Sequence, residues 1–176
     1  MRRLLLPLVS FPLVFFLSGC AFLSTRVPVV EWPEDVTFLQ GEGDIDARWQ
    51  GEKSSATFAV KMEYPDTLIF EVYGSPFGQT VIHIEKNGSK LLVITGKEKT
   101  TDEAPFKEKY GFGVGQLMDA LAMKGKKEET PEGLLVRQGD YSILYGEDRK
   151  GRKTMCLEKT DGRICLDFTQ IAFADR

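Results

Sequence analysis

Three sets of residues in this chain have the types or spacing to do chemistry: the cysteines, a single histidine and a run of alternating glycines. Cys20 ends Leu17-Ser18-Gly19-Cys20, at the close of an apolar stretch, Leu4 to Leu17, that follows Arg2 and Arg3. A basic start, a short apolar middle and small residues before the last position is the order of a secretory leader. The stretch is too short for a spanning helix, which takes about 20 apolar residues, and Pro7 and Pro12 interrupt it. The tetrapeptide resembles a lipobox, in which diacylglycerol is attached to the thiol of Cys20 and residues 1–19 are removed. That chemistry is modification, and it implies a lipid bilayer as a partner.

The remaining candidates support no reaction. His83 falls on the outer side of a strand, opposite Leu92, and is expected to be a surface residue. No second histidine or cysteine cluster completes a metal site. Gly111-Phe112-Gly113-Val114-Gly115 is spaced like part of a phosphate loop. It lacks the preceding strand and the Lys-Ser/Thr pair that reach phosphate, so it reads as a flexible lead into a helix. There is no Gly-x-Ser-x-Gly elbow. The expectation is therefore no catalytic residue, no metal, no cofactor and no enzyme.

Removing residues 1–19 leaves 157 of 176 residues, enough for one domain with a core. It takes away two basic residues and no acidic one, so the net charge moves from −3 to −5. An acidic, evenly mixed surface lacks the basic face that nucleic acid requires. Residues 20–36, with Pro28 and Pro33 and no clear period, read as lipid anchor and tether, and 37–176 as the domain. Ala21 is not the Asp that retains lipoproteins in an inner membrane, which favours the outer membrane.

From Asp44 the apolar residues alternate, as in half-buried strands. Ile45, Ala47 and Trp49 form one face. Across a loop at Gln50 to Lys53, Ala47 is expected to pair with Ala56 and Ile45 with Phe58. After Pro65-Asp66-Thr67, Leu68, Phe70 and Val72 fall opposite Tyr64, Met62 and Val60. Asn87-Gly88 is a type I′ turn signal, pairing Ile84 with Leu91, Ile82 with Val93, and Glu85 with Lys90. Five antiparallel strands thus span residues 44 to 95. Lys97 to Glu103 reads as a solvated charged loop. Val114, Leu117, Met118, Leu121 and Ala122 recur at helical spacing, giving a helix over about 115–124 that Lys124-Gly125-Lys126-Lys127 terminates. Strands follow at 134–137, 141–145 and 153–158, and a hairpin at Asp161-Gly162 returns through Ile164, Leu166 and Phe168. In that register Cys165 faces Glu158 and lies diagonal to Cys156. Diagonal neighbours are about 7–8 Å apart, beyond the usual disulfide span of about 4.4–6.8 Å, so free thiols are expected.

The expected fold is mainly β, a strongly curved antiparallel sheet with helical cover on its concave face. Phe58, Val60, Phe70, Val72, Ile82 and Val93 should line the interior, with Leu117 and Leu121 from the helix. One connection is unusual: Gly74-Ser75-Pro76-Phe77-Gly78 presents Phe77, between Pro76 and Gly78, where a polar tip is the rule. Burying a Phe is worth about 1.5–3 kcal/mol, so Phe77 either caps the core or stays out to meet a bilayer or another apolar surface.

The stretch from Leu68 to Ile84, with Gly74-Ser-Pro-Phe-Gly78 at its centre, is similar to a segment of the LolB family of outer-membrane lipoprotein receptors, where a strand ends in Asn/Ser-Pro-Leu-Gly. Gly43-Asp-Ile-Asp-Ala47 resembles that family's opening strand, Gln116 to Gly125 its helix ending in Gly, and Thr160 to Phe168 its last hairpin. The order of these segments, with the lipobox, covers nearly the whole chain after the leader. The resemblance implies an incomplete barrel with helices over a hydrophobic cavity. It implies a carrier that takes lipoproteins from a LolA-like periplasmic protein, holds their acyl chains and places them in the outer membrane, Phe77 being the apolar loop residue. Three features depart from the family: Phe replaces Leu at the tip, the segment before the first strand is shorter, and Ala120, Leu121 and Ala122 stand where the family has a tryptophan. The alternative is an anchored accessory subunit that uses the same sheet, with a filled core, to bind a protein.

Overall fold

In the computed structural model, residues 32–49, 51–74 and 79–174 are described. Eleven strands form one antiparallel sheet: β1 Phe38–Trp49, β2 Glu52–Glu63, β3 Thr67–Gly74, β4 Gln79–Asn87, β5 Lys90–Thr95, β6 Glu98–Thr100, β7 Lys126–Thr130, β8 Gly133–Gln138, β9 Tyr141–Glu147, β10 Lys153–Lys159 and β11 Gly162–Ala174. Two helices, α1 Ala104–Tyr110 and α2 Val114–Leu121, lie between β6 and β7. The spatial order is β6-β5-β4-β3-β2-β1-β11-β10-β9-β8-β7, so the first and last strands of the domain pair at the centre and the sheet is not closed into a barrel. Mainly β architecture with short helices is what alternation and the single helical stripe predict.

The inner and outer faces agree with the alternation, but each hairpin pairs two residues away from the expected register. Trp49 meets Glu52, so Ile45 faces Ala56, Ala47 faces Ser54 and Phe58 faces Gly43. Gly51, at φ 86°, supplies the left-handed residue that lets a two-residue turn replace the four-residue loop. Leu68 faces Met62, Phe70 faces Val60 and Val72 faces Phe58. Here Tyr64 has left the strand: its N–H donates to Thr37 O at 2.8 Å and its hydroxyl to Asp119 of α2 at 2.9 Å. Asn87 pairs with Lys90 and Ile84 with Val93, so Glu85 faces Leu92 and His83 faces Ile94. The adjoining turn decides this register, because Asp66 O accepts the Gly88 N–H at 2.9 Å and Pro65 O accepts from the Lys86 amine at 2.9 Å.

The last hairpin departs in the same way, with a chemical consequence. Lys159 pairs with Gly162, which puts Cys156 directly opposite Cys165, and the two form a disulfide rather than free thiols. Gly162 serves the strand and not the turn. A Cβ there would stand 2.3 Å from Arg48 O and 2.6 Å from the Trp49 ring, so only glycine lets Trp49 lie across it.

The helical region is longer than expected. The stripe Val114, Leu117, Met118, Leu121 and Ala122 is buried, in a helix that stops at Leu121. Lys126 and Lys127, read as its charged end, begin strand β7. Within the charged loop, Glu98–Thr100 pairs with β5, and α1 follows with Phe106 and Tyr110 four residues apart. Trp32 to Val36, assigned to the tether, pack on the fold: Val36 is fully buried, and the Trp32 ring sits 5.2 Å from Tyr145 and 5.4 Å from Phe173.

The centre of the sheet requires close backbone approach. β11 carries an extra residue opposite the Glu42/Gly43 step, and a Cβ on Gly43 would lie 2.0 Å from Asp167 O. Backbone cannot yield as a flexible side chain can. Gly43→Val is therefore expected to destabilise the chain by about 3 kcal/mol or more, read as a fall in the urea midpoint. A midpoint unchanged from the parent chain would show that the β1–β11 junction tolerates a side chain.

Candidate functional site

Phe58, Phe70 and Phe168 pack together on the concave face, with ring centroids 5.9 Å apart for Phe58–Phe70 and 5.1 Å for Phe58–Phe168. Next to this cluster, toward the end of the sheet where β1 finishes and β2 begins, lies an apolar cavity of about 320 Å³. Its sheet wall comes from Ile45 and Ala47 of β1, Ala56 of β2, Phe70 and Val72 of β3, Val81 and Ile82 of β4, Met155 and Leu157 of β10, and Ile164 and Leu166 of β11. Its cover is Phe106 and Tyr110 of α1, Phe112 of the connection and Leu117 of α2. Among the described residues no Asp, Glu, Lys, Arg or His lines it, and the lining residues that carry a polar side chain are the exposed Ser54 and Ser55, and Tyr110. Such a surface offers van der Waals contact to an apolar ligand and nothing to hold a buried charge.

Of the interior residues expected from the sequence, Phe70, Val72, Ile82 and Leu117 stand on the cavity wall. Phe58, Val60, Val93 and Leu121 are buried in the core and are not among the lining residues. The sequence reading missed Phe106, Tyr110 and Phe112. Their signal was the i, i+4 spacing of Phe106 and Tyr110, hidden among Lys107, Glu108 and Lys109. Cys20, Pro76, Phe77 and Gly78 lie outside the described residues. The connection that holds the last three leaves from Gly74 and returns at Gln79, and both Gly74 and the nearby Val81, 39% exposed, line the cavity.

The helical cover is fixed from below. Tyr145, on β9, donates to Ala120 O at 2.6 Å; burial pushes its phenol pKa up, so the hydroxyl keeps its proton and remains a donor. Asp119 accepts from Tyr64, and Lys124, just beyond α2, bonds Asp35 at 2.8 Å. At the other end, the glycine triplet leads into α2. Val114 N–H donates to Glu103 at 2.9 Å and Gly113 N–H to Gln116 at 2.8 Å, which uses two of the helix-start donors internally. Gly111 carries the Trp49 ring so closely that a Cβ would be 2.6 Å from it, pinning the α1–α2 connection to the tip of β1.

No family model matches the chain, and no curated protein matches it. Among solved structures it is similar to a LolA superfamily protein from Nitrosomonas europaea, at 10% identity and a TM-score of 0.47. That likeness covers 84% of this chain and 90% of the other.

On the outer face, His83 is half-buried and faces carboxylates. Its Nδ1 lies 3.1 Å from Glu71, whose other oxygen accepts from the Tyr73 hydroxyl at 2.6 Å. The Tyr73 bond first, and His83 second among the groups that lower it, hold the Glu71 carboxyl below its ordinary pKa. This cluster is separated from the cavity by the thickness of the sheet. Among the described residues no helix is long and apolar enough to cross a membrane.

Proposed function

We propose that this chain is an envelope lipoprotein, anchored through lipid on Cys20, that binds acyl chains of lipoproteins received from a periplasmic carrier and places them in the outer membrane. The observation that carries the reading is the uncharged cavity under α1 and α2. At about 320 Å³ it is near the lower end of ligand cavities, about 300–1,000 Å³, a size for one chain. An acyl chain needs an apolar lining, exclusion of water and an open rim through which its headgroup stays in solvent. The half-buried rim at Ile45, Ala47 and Ile82 and the exposed Ser54, Ser55 and Val81 meet that need. The family resemblance of the 68–84 segment points to the same task, and chain carriage requires no catalytic group.

The tether fits the same reading. Trp32 enters among Phe168, Phe173 and Tyr145, toward the end of the sheet where β1 begins, while the cavity lies toward the end where β1 finishes. The twelve residue steps from Cys20 to Trp32 reach at most about 40 Å, comparable to the length of a twelve-residue strand, about 40 Å. The rim can therefore face the same bilayer that holds the lipid.

Cys20→Ala tests anchoring and cavity separately. The variant should appear in the soluble periplasmic fraction, because one acyl chain gives only marginal binding and the polyacylated cysteine supplies several. It should still take up a fluorescent diacylglyceryl lipopeptide. Complete recovery in washed membranes would show another anchor. A soluble variant that takes up no lipopeptide would favour the accessory-subunit reading.

A further inference from the structure

The disulfide has a placement that the acyl-binding reading does not use. Cys156 and Cys165 are direct cross-strand partners, and the pairs on either side of them, Met155–Leu166 and Leu157–Ile164, all line the cavity. The bond thus lies on the outer face of the two strands that form one cavity wall. The β10–β11 ladder and its two-residue turn already hold these positions together, so the bond closes a short loop, where a cross-link constrains the unfolded chain least.

Arg163 is arranged toward the sulfurs. Its Nε donates to Cys165 Sγ at 3.1 Å and its Nη2 to Cys156 Sγ at 3.2 Å. A disulfide sulfur is a weak acceptor, whereas a thiolate is a charged one, and a neighbouring guanidinium favours the thiolate. Glu158 competes for the same Nε at 3.1 Å. The two sulfurs also differ in access: Cys156 is 5% exposed, and Cys165 is half-buried beside an open polar groove.

We propose that Cys156–Cys165 is a thiol-exchange site, reduced by an external dithiol, whose state sets the stiffness of the β10–β11 wall of the cavity. A thiolate of the dithiol attacks Cys165 Sγ, the S–S bond breaks, and Cys156 departs as a thiolate beside Arg163 Nη2. The second thiol of the dithiol, having lost its proton, attacks the sulfur now joined to Cys165. It forms the reagent's own disulfide and releases the Cys165 thiolate. Two electrons pass from the dithiol to the protein, and the two protons the dithiol gives up remain to protonate the new thiols. The reverse steps reform the bond. Leaving-group stabilisation raises the rate of the first step, which is the role of Arg163 as a positioning residue.

The test uses the folded Cys20→Ala chain, which has no third thiol, with dithiothreitol and no denaturant, counting alkylated thiols by mass. Reduction should go to two thiols per chain with the fold retained by circular dichroism. Arg163→Gln should slow it about tenfold, Arg163→Lys should restore part of the rate, and Glu158→Gln should raise it. A bond that yields only in denaturant, or an Arg163→Gln rate equal to the parent, would overturn the exchange site. Dissociation of a fluorescent sixteen-carbon acyl probe should be faster from the reduced chain, and equal rates would overturn the link to the wall. The thiol count is read without any lipid, so a chain that exchanges but never binds the probe would refute acyl binding and leave the exchange site standing.

Discussion

Substituting Phe70 by Asp should unfold the domain or abolish acyl binding. Phe70 is 7% exposed, stacks on Phe58 and also stands on the cavity wall, where none of the described lining residues is a cation that could receive a carboxylate. An unpaired charge there, together with the lost aromatic packing, is expected to exceed about 4 kcal/mol, a large share of a domain's stability. Lys61, on the opposite face of β2, is the control. Its side chain is 50% exposed and its nearest carboxylate, Glu63, is 4.0 Å away, so Lys61→Ala should stay within about ±0.5 kcal/mol. Urea melts of the two variants check both statements. A Phe70→Asp chain that melts like the parent would mean that the concave face has been assigned to the wrong side.

The second large effect concerns delivery. As a proposal, Phe77 projects from the Gly74–Gln79 connection and enters the bilayer interface when cargo is released. The connection leaves from Gly74 at the cavity rim and returns into β4, whose Val81 also lines the cavity, so an apolar side chain there would meet lipid first. Phe77→Glu should leave the melting temperature nearly unchanged and acyl uptake intact, yet stop transfer of a fluorescent lipopeptide to vesicles. If Phe77 instead caps the core, the substitution should cost about 3–5 kcal/mol, as loss of a buried Phe does. Melting and vesicle transfer on this one variant separate the two, and a large loss of stability would end the membrane-loop proposal.

What was legible in the sequence follows from which physical signals are local. Facing depends on a period of two, and Phe58, Val60, Phe70 and Val72 are buried as their alternation requires. Register depends on what neighbouring elements do to turn residues, and there the hairpins slipped by two. Tyr64 reads as a strand residue until Asp119, 55 positions away, takes its hydroxyl. Gly162 reads as a turn glycine until Trp49 needs the space above it. A slip of two preserves every face, so burial is the same in either register. The difference in register matters at Cys156 and Cys165, which are opposite rather than diagonal and so form a disulfide.

The cavity was legible as its sheet wall and one residue of its cover. Phe70, Val72, Ile82 and Leu117 stand on it because they belong to the apolar face and the apolar stripe. The rest of its cover depends on Phe106, Tyr110 and Phe112, and seven helical residues with three charges and a proline give little local helical signal. The position of α1 is a tertiary outcome: Trp49 packs on Gly111, Glu103 caps α2, and the Phe106 ring meets Phe112 at 5.6 Å. Trp32 escaped for a similar reason. Its segment has no period of its own, and it is ordered by its indole N–H on Gly146 O at 3.1 Å and by the aromatic rings around it.

The central claim is that the cavity holds an acyl chain, and native mass spectrometry of the Cys20→Ala chain mixed with a sixteen-carbon acyl ester tests it most directly. The account predicts one bound chain per protein, lost when Ile164→Trp fills the cavity while the melting temperature holds. An unliganded mass at saturating ester, or binding that Ile164→Trp leaves intact, would contradict it.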